Sequence, residues 1–357
     1  MTERVLAINP GSTSTKMAVF TRDKVELELK VAMDETQISK ENVYREFSFR
    51  KQQIENELAQ HHIGDISIVI GRGGILKPLK SGAYPVCESM LEDLKNATYG
   101  NHASNLGGPL AASFGKKFGA PAYIIDPVVV DEMDDIARIS GVPGIERKSL
   151  CHALNIKATA RRVCEREGWD IENENLIVAH LGGGISVCAM RGGRIVDVNN
   201  ALLGMGPFSP ERAGALPLEG ILNLVFKEKM DERSIRRLLT RESGLKGYLG
   251  TNDVREVVAR IENGDNKAEQ ILNAMLYQLR KEIGAMAAIL DYDVRSVIIT
   301  GGIAYSGYVQ DHLLLHLGSQ FHMTIYPGEN ELGAMADGGF RILDGKMKIN
   351  DYEMNGV

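Results

Sequence analysis

Short apolar runs separated by glycine and polar turn residues mark the beginning of the chain. Three runs rich in β-branched residues, at residues 5–9, 16–20 and 25–31, predict a β-meander. A polar stretch with helical spacing follows at about residues 41–61, and the run ISIVI at 66–70 is continuous and apolar, which is typical of a buried parallel strand. The pattern therefore predicts an α/β fold whose sheet mixes antiparallel and parallel strands.

The alternation of helices and strands continues to the end of the chain. A helix at about residues 104–118 and a strand at 122–126 complete the first half. In the second half, strands are predicted at residues 175–180, 185–190, 194–198, 297–300 and 321–326. Helices are predicted near residues 219–227, 231–240, 254–262 and 267–290, with a closing helix from about residue 331.

The two halves of the chain share one plan. Each opens with a strand, a polar residue, a glycine turn and a return strand, and in each half a β-meander precedes alternating helices and strands. Chance similarity of two hairpins is the alternative, but the shared order of elements favours a duplication. We predict an N-terminal domain at residues 1–155, to which a closing helix at about 335–357 can return, and a C-terminal domain at 156–334.

Composition and charge restrict the possible partners. The chain has 357 residues, 44% of them hydrophobic, and a net charge of −6 with scattered Lys and Arg, so two cores are expected and nucleic acid is not. No apolar run has the length of a membrane span, and the strand pattern begins at residue 5, so neither a membrane nor a signal peptide is expected. The four cysteines lack CxxC spacing, which predicts free thiols, no zinc site and a cytoplasmic protein.

The first glycine turn, NPGSTSTK from Asn9 to Lys16, offers the groups that bind phosphate. Glycine allows close approach of backbone N–H groups, hydroxyls add neutral donors, and lysine adds a charge. Alternation along the return strand places Ser12, Ser14 and Lys16 on one face. A plain solvated hairpin would tolerate the same residues, so this segment alone leaves both interpretations open.

Two further strands in the second half break at glycines. One is His180 followed by Gly182, Gly183 and Gly184, and the other is Thr300 followed by Gly301 and Gly302. None of the three turns matches a P-loop or a Rossmann fingerprint. Their repetition, with two hairpins in matching places, favours a nucleotide whose phosphates are held between two facing hairpins.

Several motifs together resemble a known family. The segments VLAINPGSTSTK, VIGRGGIL, IIDPVV, CHALN, AHLGGGISV, ERAGALP, IITGGIA and YPGENEL occur in the order found in the acetate and butyrate kinases. GRGG, NPGS and HALN are similar to the butyrate kinase branch, where acetate kinases have HRxxHGG, NCGS and HGTSH. The resemblance implies an α/β fold of two duplicated ribonuclease-H-like (actin-like ATPase) domains with a nucleotide cleft between them, and a kinase that forms an acyl phosphate from ATP and a short-chain carboxylate.

A carboxylate is ionised near neutral pH, so this reaction needs no general base, only positioning and neutralisation of charge. The resemblance implies that Arg72 and Arg212 hold the carboxylate and the transferring phosphoryl group. It also implies an active-site role for Asp126, in orienting Mg²⁺-bound water or an arginine, and places His152 near the phosphoryl group. Without the resemblance, the alternatives are solvated arginines, an aspartate that starts a turn before proline, and a core histidine.

The remaining roles also follow from the resemblance. ATP and Mg²⁺ are the implied cofactors, and Asn9 with Glu331 is expected at the metal, Glu329 being the alternative carboxylate. The nucleotide is expected at Ser12, Ser14, Lys16, His180, the glycines 182–184, Gly301, Gly302 and Ile303. Gly74 and Cys151 replace a valine and a phenylalanine that narrow the acyl pocket of acetate kinases, so butyrate and branched short acids are expected in preference to acetate.

Other functions remain as alternatives at this point. An acetate or propionate kinase would share the motifs but need a tighter pocket. A sugar kinase would need an aspartate to deprotonate a hydroxyl, and a non-enzymatic actin-like or regulatory relative would not need Arg72 and Arg212 in glycine-rich loops. The resemblance also implies a homo-oligomer.

Overall fold

The structure is a computed structural model that describes residues 2–33, 39 and 41–354. Its strands are β1 Val5–Pro10, β2 Ser14–Phe20, β3 Val25–Ala32, β4 Ile68–Arg72, β5 Ala83–Pro85, β6 Ala122–Ile125, β7 Asn175–Leu181, β8 Ile185–Arg191, β9 Arg194–Val198, β10 Ser296–Thr300 and β11 Met323–Ile325. Its α-helices are α1 Phe47–Gln60, α2 Glu88–Asn96, α3 Gly107–Phe118, α4 Asp135–Arg138, α5 Ala153–Glu167, α6 Leu218–Leu222, α7 Glu232–Arg241, α8 Gly244–Leu249, α9 Val254–Glu262, α10 Asn266–Ile289, α11 Gly307–Leu317 and α12 Glu331–Leu343. Short 3-10 helices lie at Val43–Glu46, Ala103–Leu106, Ile171–Asn173 and Gly302–Tyr305, and a π-helix at Asn223–Lys227.

The chain divides into two compact units. The first comprises Met1–Asp131 and Asn330–Val357, and the second comprises Glu132–Glu329. The predicted boundary at residue 155 therefore differs from this division, because residues 132–155 pack with the second unit. The chain returns to the first unit at Asn330, five residues before the predicted start of the closing segment, whose last residues, 355–357, lie outside the described part.

The first unit is built on a mixed sheet with the strand order β3-β2-β1-β4-β6-β5. The meander β1–β3 is antiparallel, whereas β1, β4 and β6 run parallel to one another. Alternation of side chains sends Leu6 and Val69 into a core with α1 and α3. On the other face, α12 comes so close to the sheet that a methyl group on Gly339 would lie 2.8 Å from Val5 Cγ1. The sheet is thus covered by helices on both faces.

The second unit repeats this arrangement. Its sheet has the order β11-β10-β7-β8-β9, with an antiparallel meander β7–β9 and parallel strands β7, β10 and β11. Ile177 and Ala179 point into a core formed with α8–α11, and α5 packs on the opposite face, where His180 meets Asn155. Because the same strand order occurs in both units, the predicted α/β duplication is confirmed at the level of the sheets.

Five α-helices in the described part of the chain, α2, α4, α5, α8 and α11, were not predicted from the sequence patterns. Residues 153–160 of α5 are all buried and include Asn155, Lys157 and Thr159, so this helix has no apolar stripe that contrasts with a polar face. The helix α2 is only nine residues long, and α11 contains the continuous run LLL, which hides its buried positions Val309 and Leu313. None of the helices in the described part of the chain combines the length and the apolar character needed to span a membrane.

Candidate active site

Three parallel strands of the first unit end at one edge of the sheet. Ile8 pairs with Gly71, and Gly71 pairs with Ile124, so the residues that follow, Asn9 and Arg72, come to this edge together. Asp126 lies directly after β6 at the same edge. The parallel register therefore brings together residues that are far apart in sequence.

Glu331, the first residue of α12, joins two of the predicted site residues. Its Oε2 accepts a hydrogen bond from Asn9 Nδ2, and its Oε1 forms an ion pair with Arg72 Nη1. Arg72 is buried, at 8% exposure, so this charge is held in place rather than solvated. Glu329 lies elsewhere, against His180 in the second unit.

The glycines that follow Arg72 allow close packing of neighbouring protein groups, which the sequence pattern did not reveal. A methyl group on Gly73 would lie 3.0 Å from the Pro127 Cα, and one on Gly74 would lie 2.6 Å from the Cα and Oδ1 of Asn105 and 2.7 Å from Leu94 Cδ2. The Asn105 side chain also accepts a hydrogen bond from the Ile75 N–H (2.9 Å). The space beside Gly74 is thus filled by protein, so its small size does not by itself widen an acyl pocket.

Asp126 is held by a loop that precedes β5. Its Oδ1 accepts hydrogen bonds from Ser81 Oγ (2.6 Å) and from the Gly82 N–H (2.8 Å), and its exposure is only 1%. Its φ of +39° lies in the left-handed region, which a non-glycine residue adopts rarely, and such strain is concentrated at functional sites. The carboxylate therefore has a fixed orientation at the sheet edge.

The hairpin loop between β1 and β2 has an exposed tip. Ser12 and Lys16 are exposed, whereas Ser14 is buried at 8% exposure, and Thr15 faces the side of the sheet that α1 covers. Lys16 pairs with Asn9 across the hairpin. Side-chain alternation puts Ser14 and Lys16 on the face opposite Thr15.

Two histidines of the second unit stack on each other. The rings of His152 and His180 lie 4.0 Å apart between centroids, with an interplanar angle of 16°. His152 Nδ1 is 2.9 Å from Ser186 Oγ, and His180 Nδ1 is 2.9 Å from Asn155 Oδ1. Since an amide oxygen can only accept, His180 Nδ1 carries a proton, and Nε2 is directed toward Glu329 Oε1 at 3.1 Å.

The triple glycine that follows β7 makes room for charged side chains. A methyl group on Gly182 would collide with Glu329 Oε1, and one on Gly184 would lie 2.7 Å from Arg212 Cζ. Apart from its chain neighbours, no described residue has a heavy atom within 4 Å of the position that a methyl group on Gly183 would occupy. The turn therefore supports Glu329 and Arg212 on either side of an open glycine.

Arg212 is fixed by contacts with two loops. Its Nη1 donates to the Ala201 carbonyl, and its backbone N–H donates to Ser209 Oγ (3.2 Å). Ser209 Oγ in turn donates to the Gly183 carbonyl (2.6 Å), which links the arginine loop to the triple glycine. Burial lowers the pKa of Arg212 from its ordinary value, and the neighbouring Glu211 opposes that effect.

The third glycine turn follows β10 and pairs with the segment before Glu329. Gly301 has a φ of +91° and exchanges hydrogen bonds with Gly328, 3.2 Å and 3.0 Å long. Gly302 is exposed, and Ile303 is partly buried against the core. Because β10 ends beside β7, with Thr300 paired to His180, this turn lies next to the histidines.

The cysteines are free thiols, as predicted. Cys151, Cys164 and Cys188 are buried, and Cys87 is half-buried. Burial raises the pKa of Cys164 to about 11 and raises that of Cys188 further above its ordinary value. These two thiols are therefore unreactive packing groups. Cys151 lies directly before His152, with its Sγ 3.8 Å from Ser149 Oγ.

Asn9 and Glu331 offer oxygen atoms of the kind that Mg²⁺ prefers. Among the described residues no group of three or more His, Cys, Asp or Glu side chains could hold a metal ion. Mg²⁺, however, is usually bound by one or two carboxylates together with substrate phosphates, and it prefers oxygen ligands. Asn9 and Glu331 supply one amide oxygen and one carboxylate, and in this structure the carboxylate accepts from Asn9 Nδ2 and pairs with Arg72 Nη1.

Each unit therefore brings together its own group of predicted residues. Asn9, Arg72, Asp126 and Glu331 share the sheet edge of the first unit, and the second unit gathers His152, His180, the triple glycine and Arg212. The sequence did not reveal the partners that position these groups by hydrogen bonds or ion pairs. They are Arg50, Ser81, Asn155, Ser186, Ser209 and, through its contact with His180, Glu329. Asn155 could have been noticed, since it lies one helical turn after His152.

Comparison with known proteins identifies the family. The profile of the acetokinase family matches residues 144–335. A probable butyrate kinase from Clostridium botulinum is 46% identical over 355 residues, covering 99% of this chain and all of the relative, and butyrate kinase 2 from Clostridium acetobutylicum is 47% identical over 354 residues, covering 98% and 99%. The crystal structure of Porphyromonas gingivalis acetate kinase superposes with a TM-score of 0.76 at 18% identity, covering 96% of this chain and 100% of that one.

The chain therefore belongs to the acetokinase family, as the motifs indicated. The predicted fold, shared with acetate kinases, and the predicted activity class, a phosphotransferase with a carboxyl group as acceptor, are confirmed. Membership of a kinase family also implies ATP as the phosphoryl donor.

Proposed function

We propose that this protein is a butyrate kinase that transfers the γ-phosphoryl group of ATP to butyrate, giving butyryl phosphate and ADP. The observation that carries the proposal is 46–47% identity, over nearly the full length, to relatives named butyrate kinase. Branched short acids are proposed as further acceptors. An acetate or propionate kinase is the competing outcome.

The acceptor needs no base, because butyrate is already ionised near neutral pH. What it needs is a cation that holds the carboxylate against the anionic phosphoryl group. Arg72 is proposed for this role, since its guanidinium is buried at the sheet edge and can bind a carboxylate with two parallel hydrogen bonds. Glu331 occupies Arg72 Nη1 and Asn9 Nδ2, which keeps both side chains oriented before substrate binds.

Charge on the transferring group is proposed to be neutralised by residues of the second unit. Arg212, His152 and His180 are the candidates, and all three are held by hydrogen bonds within that unit. Preorganised donors of this kind cost no reorganisation during the reaction, and removal of one typically costs about a hundredfold to a thousandfold in rate. The fixed Asp126 carboxylate is proposed to orient an arginine or a water molecule of the metal.

The nucleotide phosphates are proposed to bind to backbone N–H groups and hydroxyls of the glycine turns. In the first unit these are Ser12, Ser14 and Lys16, and in the second the triple glycine and the Gly301 turn with Ile303. When bound at Asn9 and Glu331, Mg²⁺ would supply charge neutralisation to the phosphates.

The acid preference is proposed on the full-length relatives rather than on pocket size. The space beside Gly74 is filled by Asn105 and Leu94, so only the smaller side chain of Cys151 remains from the two substitutions as support for a larger acid. Each additional buried methylene would contribute about 0.8 kcal/mol of transfer free energy. We further propose a cytoplasmic location, supported by the free thiols, and self-association, supported by exposed apolar side chains at Leu218, Leu222 and Phe226.

The test is formation of acyl phosphate. The protein is incubated with MgATP and butyrate, and the product is trapped with hydroxylamine as the hydroxamate. We expect hydroxamate with the wild type and a loss of about a hundredfold or more in kcat with Arg72→Ala and with Arg212→Ala. Calorimetric binding of MgADP should persist in both variants. Absence of hydroxamate with butyrate in the wild type would contradict the proposal, and near-normal turnover of either variant would contradict the role of that arginine.

A further inference from the structure

A fully buried arginine lies beneath the hairpin loop of the first unit. Arg50, on α1, has 0% exposure, and each N–H of its guanidinium makes a hydrogen bond. Nη1 donates to the Ser14 carbonyl (3.1 Å) and to Thr15 Oγ1 (2.8 Å), Nη2 donates to the Gly11 carbonyl (2.9 Å) and to Glu46 Oε2 (2.7 Å), and Nε donates to the same Glu46 oxygen (3.0 Å). This arginine thus holds both ends of the loop.

The contacts fix the backbone of the loop from one side. The Gly11 N–H donates to the Ser14 carbonyl (2.7 Å), and the Thr13 carbonyl accepts from the Met33 N–H (2.9 Å). With the carbonyls of Gly11, Thr13 and Ser14 engaged by protein donors, the loop conformation is strongly restricted. The tip residues Ser12 and Thr13 nevertheless stay exposed.

The Arg50–Glu46 pair adds no net charge beneath the loop, so its effect is to position the loop backbone. Glu46 is buried at 3% exposure, four residues before Arg50, so the two unit charges compensate each other. The second Glu46 oxygen accepts from the Ser39 N–H (2.8 Å), which anchors the carboxylate as well. A planar guanidinium with five donors can reach a carboxylate and two loop carbonyls at once, whereas a lysine, with three donors at one point, cannot.

We infer that the Arg50–Glu46 pair is a positioning element for nucleotide binding: it holds the 11–15 loop in the conformation that receives the phosphates of ATP. This inference rests on the proposed function, because it assigns the loop to ATP. Arg50 is not a catalytic residue, since it is buried beneath the loop and acts through it. Loss of its contacts should therefore weaken nucleotide binding without a matching effect on the carboxylate.

The test compares Arg50→Lys with the pair Thr15→Val and Thr15→Ser. We expect Arg50→Lys and Thr15→Val to raise the KM for MgATP by about tenfold, as is typical when a supporting contact is lost. The KM for butyrate should stay unchanged, and Thr15→Ser, which keeps the hydroxyl, should restore the KM for MgATP. Thermal unfolding of each variant measures any loss of stability separately.

Arg147→Lys is the matched control. Arg147 pairs with Asp197 and donates to the carbonyls of Ala137 and Val198 in the second unit. The substitution therefore disturbs a comparable ion pair that has no contact with the 11–15 loop. It should lower the melting temperature and leave the KM for MgATP unchanged. If Arg50→Lys does not fold, the comparison of the KM for MgATP between Thr15→Val and Thr15→Ser tests the inference.

A folded Arg50→Lys and a Thr15→Val that both keep the wild-type KM for MgATP would overturn the inference, as would an equal rise in Arg147→Lys. An inactive wild type would instead overturn the proposed function. In that case, calorimetric MgADP affinity decides: equal values for Thr15→Val and Thr15→Ser would overturn the positioning role as well.

Discussion

At the scale of single residues, the carboxylate of Glu331 holds Asn9 and Arg72 at the edge of the first sheet. Short motifs identified Asn9, Arg72 and Glu331, but the contacts of the Glu331 carboxylate with the other two residues depend on the fold. The role of Arg50 could not be read in the same way, because its partners lie about 36 residues upstream and depend on how α1 packs. Gly74 was expected to make room for substrate, but close packing against Asn105 and Leu94 explains why a glycine stands there.

That packing leads to a stability prediction. Gly74→Ala should destabilise the protein by about 1–3 kcal/mol, because the new methyl group would lie 2.6 Å from the Asn105 backbone. Calorimetric melting measures the effect. Gly284→Ala, in the middle of α10 with open space around it, is the control and should stabilise by about 0.5–1 kcal/mol. A Gly74→Ala protein that melts at the wild-type temperature would show that space is available there after all.

At the scale of secondary structure, elements with a clear period were predictable and those with polar buried faces were not. The long helix α10 buries apolar residues at helical spacing, and the predicted range of 267–290 differs from the observed Asn266–Ile289 by one residue at each end. The helix α5 was not predicted because its first half is buried on all sides and includes the polar residues Asn155 and Lys157. The closing helix predicted at about residues 335–357 extends too far, because α12 ends at Leu343 and the described part of the C-terminal segment after it, residues 344–354, is not helical.

This C-terminal segment supports the loop that orients Asp126. Asn350 is buried at 4% exposure and donates from Nδ2 to the Ser81 carbonyl (3.0 Å), next to Gly82, whose φ is +137°. Asn350→Ala should lower kcat by about tenfold through Asp126, while the KM for MgATP stays unchanged. Steady-state kinetics measures this split. Met354→Ala, at an exposed position of the same segment, is the control, and an unchanged kcat in Asn350→Ala would refute the coupling.

At the scale of the whole molecule, the duplication was the most informative feature of the sequence. Two hairpins in matching places predicted two related sheets, and both units have the same order of five strands, with β5 as an addition to the first. The predicted boundary at residue 155 differs from the division into compact units after Asp131, because residues 132–155 show no break in composition. Their association with the second unit depends on long-range contacts such as that of Lys157 with Glu132. The TM-score of 0.76 to an acetate kinase, at 18% identity, agrees with this architecture.

The most direct test of the proposed function is the order of kcat/KM values for a series of acids. Acetate, propionate, butyrate, valerate and isobutyrate are compared at saturating MgATP by hydroxamate formation. Butyrate should exceed acetate by about tenfold or more, because two further methylenes are buried at about 0.8 kcal/mol each. A maximum at butyrate, with isobutyrate also accepted, is the predicted result; a maximum at acetate or propionate would contradict the proposal.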